Sequence, residues 1–337
     1  MHCRYVTRLA AGGTRVEAEL SDPAPATATS SFHVRSVGVA LSSSPAAGTA
    51  SLGALMPLTF RSAAAVTVAA HTRIQSDPLP LVVHAGQSLV IDLAVDPGDA
   101  PSEGIPGEHS DCSPLAGGPL QTDVGVRWLS GLLVDGAAVR SLAALGDPIT
   151  EGLSLPTGGY QRWTDDLSAA GDDVTNEGVT GGALGRPGVF GSLDGLTRLH
   201  SLLTEPGLTG VVIELGTNDL GAGGSSAEVL TLLDQALTLD RSHGLATALA
   251  TITPRSAVGQ PFAQEQARLA VNTALRGQWL TSRGGTLVDL DLSLRDPQAP
   301  SRLLPVYDSG DHVHPNAAGQ LRIARTVAQA LSLHSPL

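Results

Sequence analysis

From Ser141 onward, short apolar runs of strand length alternate with longer stretches of helical spacing. Ser141–Leu145, Val211–Leu215, Ala246–Ile252 and Thr286–Leu290 read as buried strands. Tyr160–Ala170, Ala227–His243, Pro261–Ser282 and Ala317–Leu331 read as helices, and Leu230, Leu233 and Leu237 mark one apolar face. Such alternation commits a chain to a parallel sheet covered by helices on both faces, because parallel pairing needs long crossovers that pack on the sheet. In that architecture ligands bind beyond the carboxyl ends of the strands.

Residues before about 135 follow a different rule. Thr14–Leu20, His33–Leu41, Ala64–Ala70, Leu79–His84 and Ser88–Val95 are short alternating runs between Gly, Pro, Ser and Asp clusters. None has a helical period, so a β-sandwich or jelly-roll is expected. Asp96–Leu120, rich in Gly, Pro and Ser, is expected to be a long surface loop, and Gly125–Val134 a last strand. The chain is thus expected to hold a β-sandwich domain over 1–135 and an α/β/α domain over 136–337.

Charge narrows the partners. The chain has 20 basic and 32 acidic residues, a net of −12, and every basic residue is arginine. Without basic clusters, so acidic a chain is unsuited to phosphate backbones, and no nucleic-acid partner is expected. No apolar run approaches the roughly 18 to 20 residues of a membrane span, so no membrane partner is expected either. The first 25 residues lack the apolar core of a signal peptide. That leans towards a cytoplasmic location, or towards secretion if a leader has been removed. Cys3 and Cys112 read as two unrelated thiols, with a single disulfide as the alternative. Two cysteines are too few for a Cys-based zinc site, and neither HExxH nor CxxC occurs.

Four segments carry chemistry: Gly146-Asp147-Pro148-Ile149-Thr150-Glu151-Gly152, Asn176-Glu177-Gly178-Val179-Thr180-Gly181, Gly216-Thr217-Asn218-Asp219 and Asp311-His312-Val313-His314-Pro315-Asn316. Taken singly they are weak signals. A β-turn accounts for the third, a polar loop for the second, and a solvated loop pair for Asp311 with His314. Together, in this order, they resemble the SGNH (GDSL) hydrolase family over about 142–327. The N-terminal part looks like the β accessory domain of two-domain bacterial members. That domain is left open between carbohydrate binding, shaping the active-site rim and assembly, and aromatic residues at 3% speak against a sugar-stacking platform.

The resemblance implies a three-layer, flavodoxin-like α/β/α fold and hydrolase ancestry, with carboxylic or carbohydrate esters as substrates. It implies His314 as the base, Asp311 as its orienter, and Gly181 and Asn218 as oxyanion donors. Asp147 matches a structural acceptor before the nucleophile. His312 stands where the family often has a small residue and reads as an exposed loop histidine. No metal or organic cofactor is implied, and the expected partner is a small ester or acyl molecule.

One position departs from the family. The nucleophilic serine is replaced by Pro148. Proline has no hydroxyl to form an acyl-enzyme and no backbone N–H to donate to an oxyanion. Loss of a nucleophile costs on the order of 10⁶ in kcat, and loss of one oxyanion donor about 2.7–4 kcal/mol. Proline does suit the first residue of a helix, so the fold should survive. The leading reading is an enzyme acting on an ester or acyl-type carbonyl without an acyl-enzyme. The alternatives are a cyclase or lyase of small-molecule biosynthesis, a pseudoenzyme binding module, an esterase silenced at one residue, and a nucleophile relocated to Thr150 or Ser154. Helix capping or packing is the simpler role for Thr150.

Overall fold

The computed structural model describes residues 2–21, 31–42, 53–70, 72–96, 110–113, 121–122, 128–136, 140–156, 160–188, 193–203, 205–257 and 260–332. The chain divides into two compact units. The first reaches Val139, and the second comprises Arg140–Pro156 and Tyr160–Leu337.

The first unit is built of antiparallel strands in two sheets. The larger contains β1 (His2–Arg8), β3 (Phe32–Leu41), β4 (Met56–Leu58), β5 (Val66–Val68), β8 (Ser88–Val95), β9 (Ser110–Ser113) and β10 (Gln121–Thr122). The smaller contains β2 (Gly13–Ser21), β6 (Arg73–Gln75), β7 (Leu79–Val83) and β11 (Leu129–Val134). Register explains the core. Tyr5, Ile91 and Val39 stand side by side across β1, β8 and β3, and Cys3, Leu93 and Val37 do so two residues along. Period-two alternation turns both rows to one face. There they join Val16, Ala18 and Leu20 of β2 in a single buried cluster.

Three expectations are corrected in this unit. β1 was not anticipated. Asp96–Leu120 is not all loop, because β9 pairs with β1; residues 97–109 and 114–120 lie outside the described residues, as do 125–127. Cys3 is not a lone thiol but disulfide-bonded. The chain's other cysteine, Cys112, lies opposite Cys3 in the β1–β9 pairing. Strand pairing brings together two residues that sequence distance had made look unrelated.

The second unit has a five-stranded parallel sheet of β12 (Ser141–Gly146), β13 (Asp173–Gly178), β14 (Leu208–Glu214), β15 (Ala246–Ala250) and β18 (Thr286–Val288). The order is β13-β12-β14-β15-β18, a flavodoxin-like arrangement. Alternate residues of β12 part to opposite faces. Ala143 and Leu145 join one core with α3 (Gly195–Leu202), α5 (Ser226–Ser242) and α6 (Glu265–Arg276). Leu142 and Ala144 join another with α2 (Trp163–Ala170) and α9 (Ala317–Leu331). Burial on both faces is why β12 and β14 read as continuous apolar runs.

Short elements complete the unit: α1 (Pro148–Glu151), α4 (Thr217–Gly221), α7 (Gln278–Thr281), α8 (Leu290–Leu294) and the two-stranded ribbons β16 (Ser256–Ala257) with β17 (Gln260–Pro261) and β19 (Arg295–Asp296) with β20 (Ala299–Leu303). The long helix expected over Pro261–Ser282 is broken: Gly277, at φ −102° and ψ −164°, is extended between α6 and α7. β13 was not expected, because Asp-Val-Thr-Asn-Glu-Gly has one apolar side chain; it forms as an edge paired along all of β12.

Candidate active site

β12 and β14 are neighbours although β13 lies between them in sequence, so the chain changes direction at their carboxyl ends. Gly146 ends β12 and Asp147 caps α1, accepting the Ile149 N–H at 2.8 Å. Pro148 is the buried first residue of that helix, where its missing N–H leaves no helical bond unmade. A Cβ at Gly146 would stand 2.1 Å from Thr150 Oγ1, so only glycine fits there.

Buried amides hold the turn in place. Asn176 Nδ2 donates to the Thr150 carbonyl at 2.7 Å, and Gln320 Nε2 to the Ile149 carbonyl at 2.8 Å. Thr150 Oγ1 donates to Glu214 Oε2 at 3.0 Å, and the residue has no exposed surface. Its hydroxyl packs the turn and faces no solvent, which removes it as a relocated nucleophile. Ser154 is exposed at φ 77° just beyond α1.

The second and third segments are tied to this turn. Val179 N–H donates to the Gly146 carbonyl at 3.2 Å. Arg198 clamps both strand ends, donating to the carbonyls of Glu177 at 2.6 Å and Gly146 at 3.1 Å. Gly181 adopts φ 69°, a left-handed conformation that glycine takes without strain. Asn218 Nδ2 donates to the Gly182 carbonyl at 2.9 Å, which uses one of its two hydrogens. Asp219 accepts the N–H groups of Leu184 and Gly185 at 2.8 and 3.2 Å. Gly181 and Asn218 are thereby held against the end of β12.

The fourth segment carries two Asp–His pairs. Asp311 Oδ1 accepts the N–H groups of Val313 and His314, and Oδ2 lies 2.6 Å from His314 Nδ1. Partial burial resists ionisation of Asp311, but the His314 N–H, its imidazole and the Val313 N–H outweigh that and hold the carboxyl at about 2. A neutral imidazole bonded this way carries its proton on Nδ1 and presents Nε2 as a base. The His314 side chain is 17% exposed. His312 was expected to be an exposed loop histidine; it is half-buried and not solitary, its Nδ1 lying 2.7 Å from Asp308 Oδ2. Its φ of 66° lies in the left-handed region that glycine takes without strain.

Sequence reasoning missed Glu214. Burial pushes its carboxyl well up, and the adjacent Asp147 charge adds to the effect. Burial likewise raises Asp147, against the Ile149 N–H, Glu214, and the charges of His314 and Arg255. Two fully buried carboxyls therefore share a site beneath the turn and favour a retained proton. The signal was an acid inside the apolar run Val-Val-Ile-Glu-Leu. The bond from Gln320 to the Ile149 carbonyl also ties the helix that follows the fourth segment to the first. Among the described residues, no three His, Cys, Asp or Glu side chains converge as metal ligands. No helix of the described residues is long and apolar enough to cross a membrane.

The GDSL-like lipase/acylhydrolase family model matches residues 144–322. The chain belongs to that family. No curated protein sequence matches the chain. Similar solved structures include a carbohydrate esterase family 2 enzyme with a carbohydrate-binding domain from Corynascus thermopiles, 16% identical, covering 98% of this chain and 93% of its own at TM-score 0.45. A psychrotrophic esterase from Pseudoalteromonas sp. is 20% identical, over 57% of this chain and 97% of its own, at TM-score 0.43. A GDSL-like lipase from Bacteroides thetaiotaomicron is 17% identical, over 57% of this chain and 88% of its own, at TM-score 0.45. The second unit is the SGNH domain of this chain, and its lineage is hydrolytic.

Proposed function

We propose that this chain acts on an ester or acyl-type carbonyl by direct attack of water, with no acyl-enzyme. His314 Nε2 takes a proton from water as the water oxygen bonds to the carbonyl carbon. The carbonyl electron pair moves to oxygen, which the free hydrogen of the Asn218 amide and the Gly181 N–H receive. The tetrahedral adduct then expels the alcohol oxygen, and the imidazolium returns the proton to it. Water is consumed, and an acid and an alcohol leave. Asp311 stays ionised and steadies the imidazolium throughout.

The observation that supports this reading most is the 2.6 Å Asp311–His314 pair in a chain whose residue 148 is proline. The base is built, and the group it serves in a serine hydrolase is missing. Gly181 and Asn218 supply two donors, while Pro148 withholds the third. Hydrolysis of a short-chain p-nitrophenyl ester is the test, on the native chain, Pro148→Ser and His314→Ala. Slow turnover by the native chain that His314→Ala abolishes, with no covalent adduct in the mass spectrum, is the expected result. Turnover unchanged in His314→Ala overturns it. Activity in Pro148→Ser alone would instead mark an esterase silenced at one residue.

A further inference from the structure

Arg255 follows β15 and leads into the β16–β17 ribbon. Its guanidinium lies 5.2 Å from the centre of the Phe262 ring, within cation–π range. It also covers Gly221, where an added Cβ would stand 3.2 Å from Arg255 Nη1. Gly221 ends α4, the helix that carries Asn218. Ser256, the next residue, donates its N–H to the His312 carbonyl at 3.1 Å. Two sides of the site, the Asn218 helix and the His314 loop, therefore meet at Arg255.

What distinguishes Arg255 is what it lacks. It is half-buried, yet it makes no hydrogen bond or ion pair with another described residue. The acids around it are already engaged. Asp311 bonds His314, Asp308 bonds His312, and Asp219 accepts two N–H groups. Asp147 and Glu214 are buried against each other. The neighbouring stretch 256–264 contains no acidic residue that could serve as a partner. Elsewhere in this unit arginines do find carboxylates, as Arg276 finds Asp289 and Asp291, and half-buried Arg295 finds Asp291. In a chain of net charge −12, a guanidinium held beside a ring and left without a carboxylate among the described residues is suited to receive a carboxylate from a ligand.

We infer that Arg255 is a specificity residue that binds a carboxylate carried by the substrate, so that the preferred substrates are monoanionic esters of dicarboxylic or hydroxy acids. The inference rests on the acyl-carbonyl reading of the site. Contact with the Phe262 ring restrains the guanidinium, which lowers the entropy lost when two N–H groups engage the two carboxylate oxygens. A single guanidinium matches a single negative charge. The acids crowding the site disfavour a dianion such as a phosphate monoester.

Binding tests this without turnover. Monomethyl succinate and dimethyl succinate differ by one carboxylate and are titrated into the full chain by calorimetry or by ligand-observed magnetic resonance. The native chain should bind the monoester roughly tenfold more tightly, a preference that shrinks as salt is raised. Arg255→Gln should erase the preference, and Arg255→Lys should keep part of it, charge without the planar fork. Equal binding of the two esters by the native chain overturns the inference, as does a preference that survives Arg255→Gln. Inorganic phosphate competing as well as the monoester would overturn the choice of carboxylate. An Arg255-dependent preference without any ester hydrolysis would uphold the carboxylate site and sink the hydrolytic reading.

Discussion

Asp311 and His314 are joined twice: Asp311 Oδ1 accepts the His314 backbone N–H at 2.8 Å, and Oδ2 meets the ring Nδ1 at 2.6 Å. One carboxylate thus fixes both the position and the tautomer of the imidazole. Asp311→Asn keeps the shape and loses the negative charge that steadies an imidazolium. Turnover should fall on the order of 10²–10⁴ while ligand binding persists. The ratio of kcat loss to KM change is the check. Because Asp311 is held at about 2, its protonation contributes no loss of activity above about pH 4.

Pro148→Ser restores both a hydroxyl and a backbone N–H at the first residue of α1. The Asp147 cap is untouched, so stability should change by about 1 kcal/mol or less, as expected for exchange of a compatible proline. Thermal melts measure that. If the pocket is a preserved esterase site, the variant also shows a burst of p-nitrophenol and an acyl adduct of the expected mass. The double variant with His314→Ala should show neither.

Gln320 joins α9 to the turn at α1. Its Oε1 accepts the Trp163 N–H at 3.0 Å, and its Nε2 donates to the Ile149 carbonyl at 2.8 Å. Gln320→Leu keeps the bulk and strands two buried backbone groups. A loss of about 2–5 kcal/mol is expected from the two together, read by urea denaturation.

Buried acids, Asp166 and Asp240 among them, set a pH dependence of stability. Burial lifts Asp166 to about 6, helped by the charge of Asp165, and burial lifts Asp240 to about 6 against its bond from Thr247. The folded state therefore holds these protons more tightly than the unfolded chain. Between about pH 4 and 6 stability falls as pH rises, and above about 6 the burial of both charges is felt in full. The melting temperature should be higher at pH 5 than at pH 7.5. Asp166→Asn and Asp240→Asn should each flatten that difference; a melting temperature that rises across the window would contradict both assignments.

The disulfide at Cys3 constrains a strand whose register feeds the core of the first unit. Cys3→Ser, or reduction in the native chain, should cost about 2–4 kcal/mol. The loss should appear in a melting transition of the first unit. Ester hydrolysis by the second unit is expected to be unaffected below that transition.

Much was legible in the sequence because it rests on local periodicity. Ser88–Val95 and Ala317–Leu331 form over the expected residues, since alternation and helical spacing are written residue by residue. The four motifs were legible for the same reason, each being a short turn with its own chemistry. Gly277 breaks the helix expected over Pro261–Ser282, where glycine's poor helix propensity outweighed a continuous apolar stripe. Asp173–Gly178 stayed hidden because its stability comes from pairing with β12 and not from its own side chains.

The sequence by itself determined the two patterns of folding, the family and the missing hydroxyl at 148, because each depends on residue identity and near spacing. Only the tertiary structure decided which distant residues share an environment. It set Cys112 opposite Cys3, pressed the carboxyls of Asp147 and Glu214 together, and left Arg255 beside Phe262 with no carboxylate partner among the described residues. Those relations depend on burial and through-space charge, which sheet order creates and a linear string does not contain.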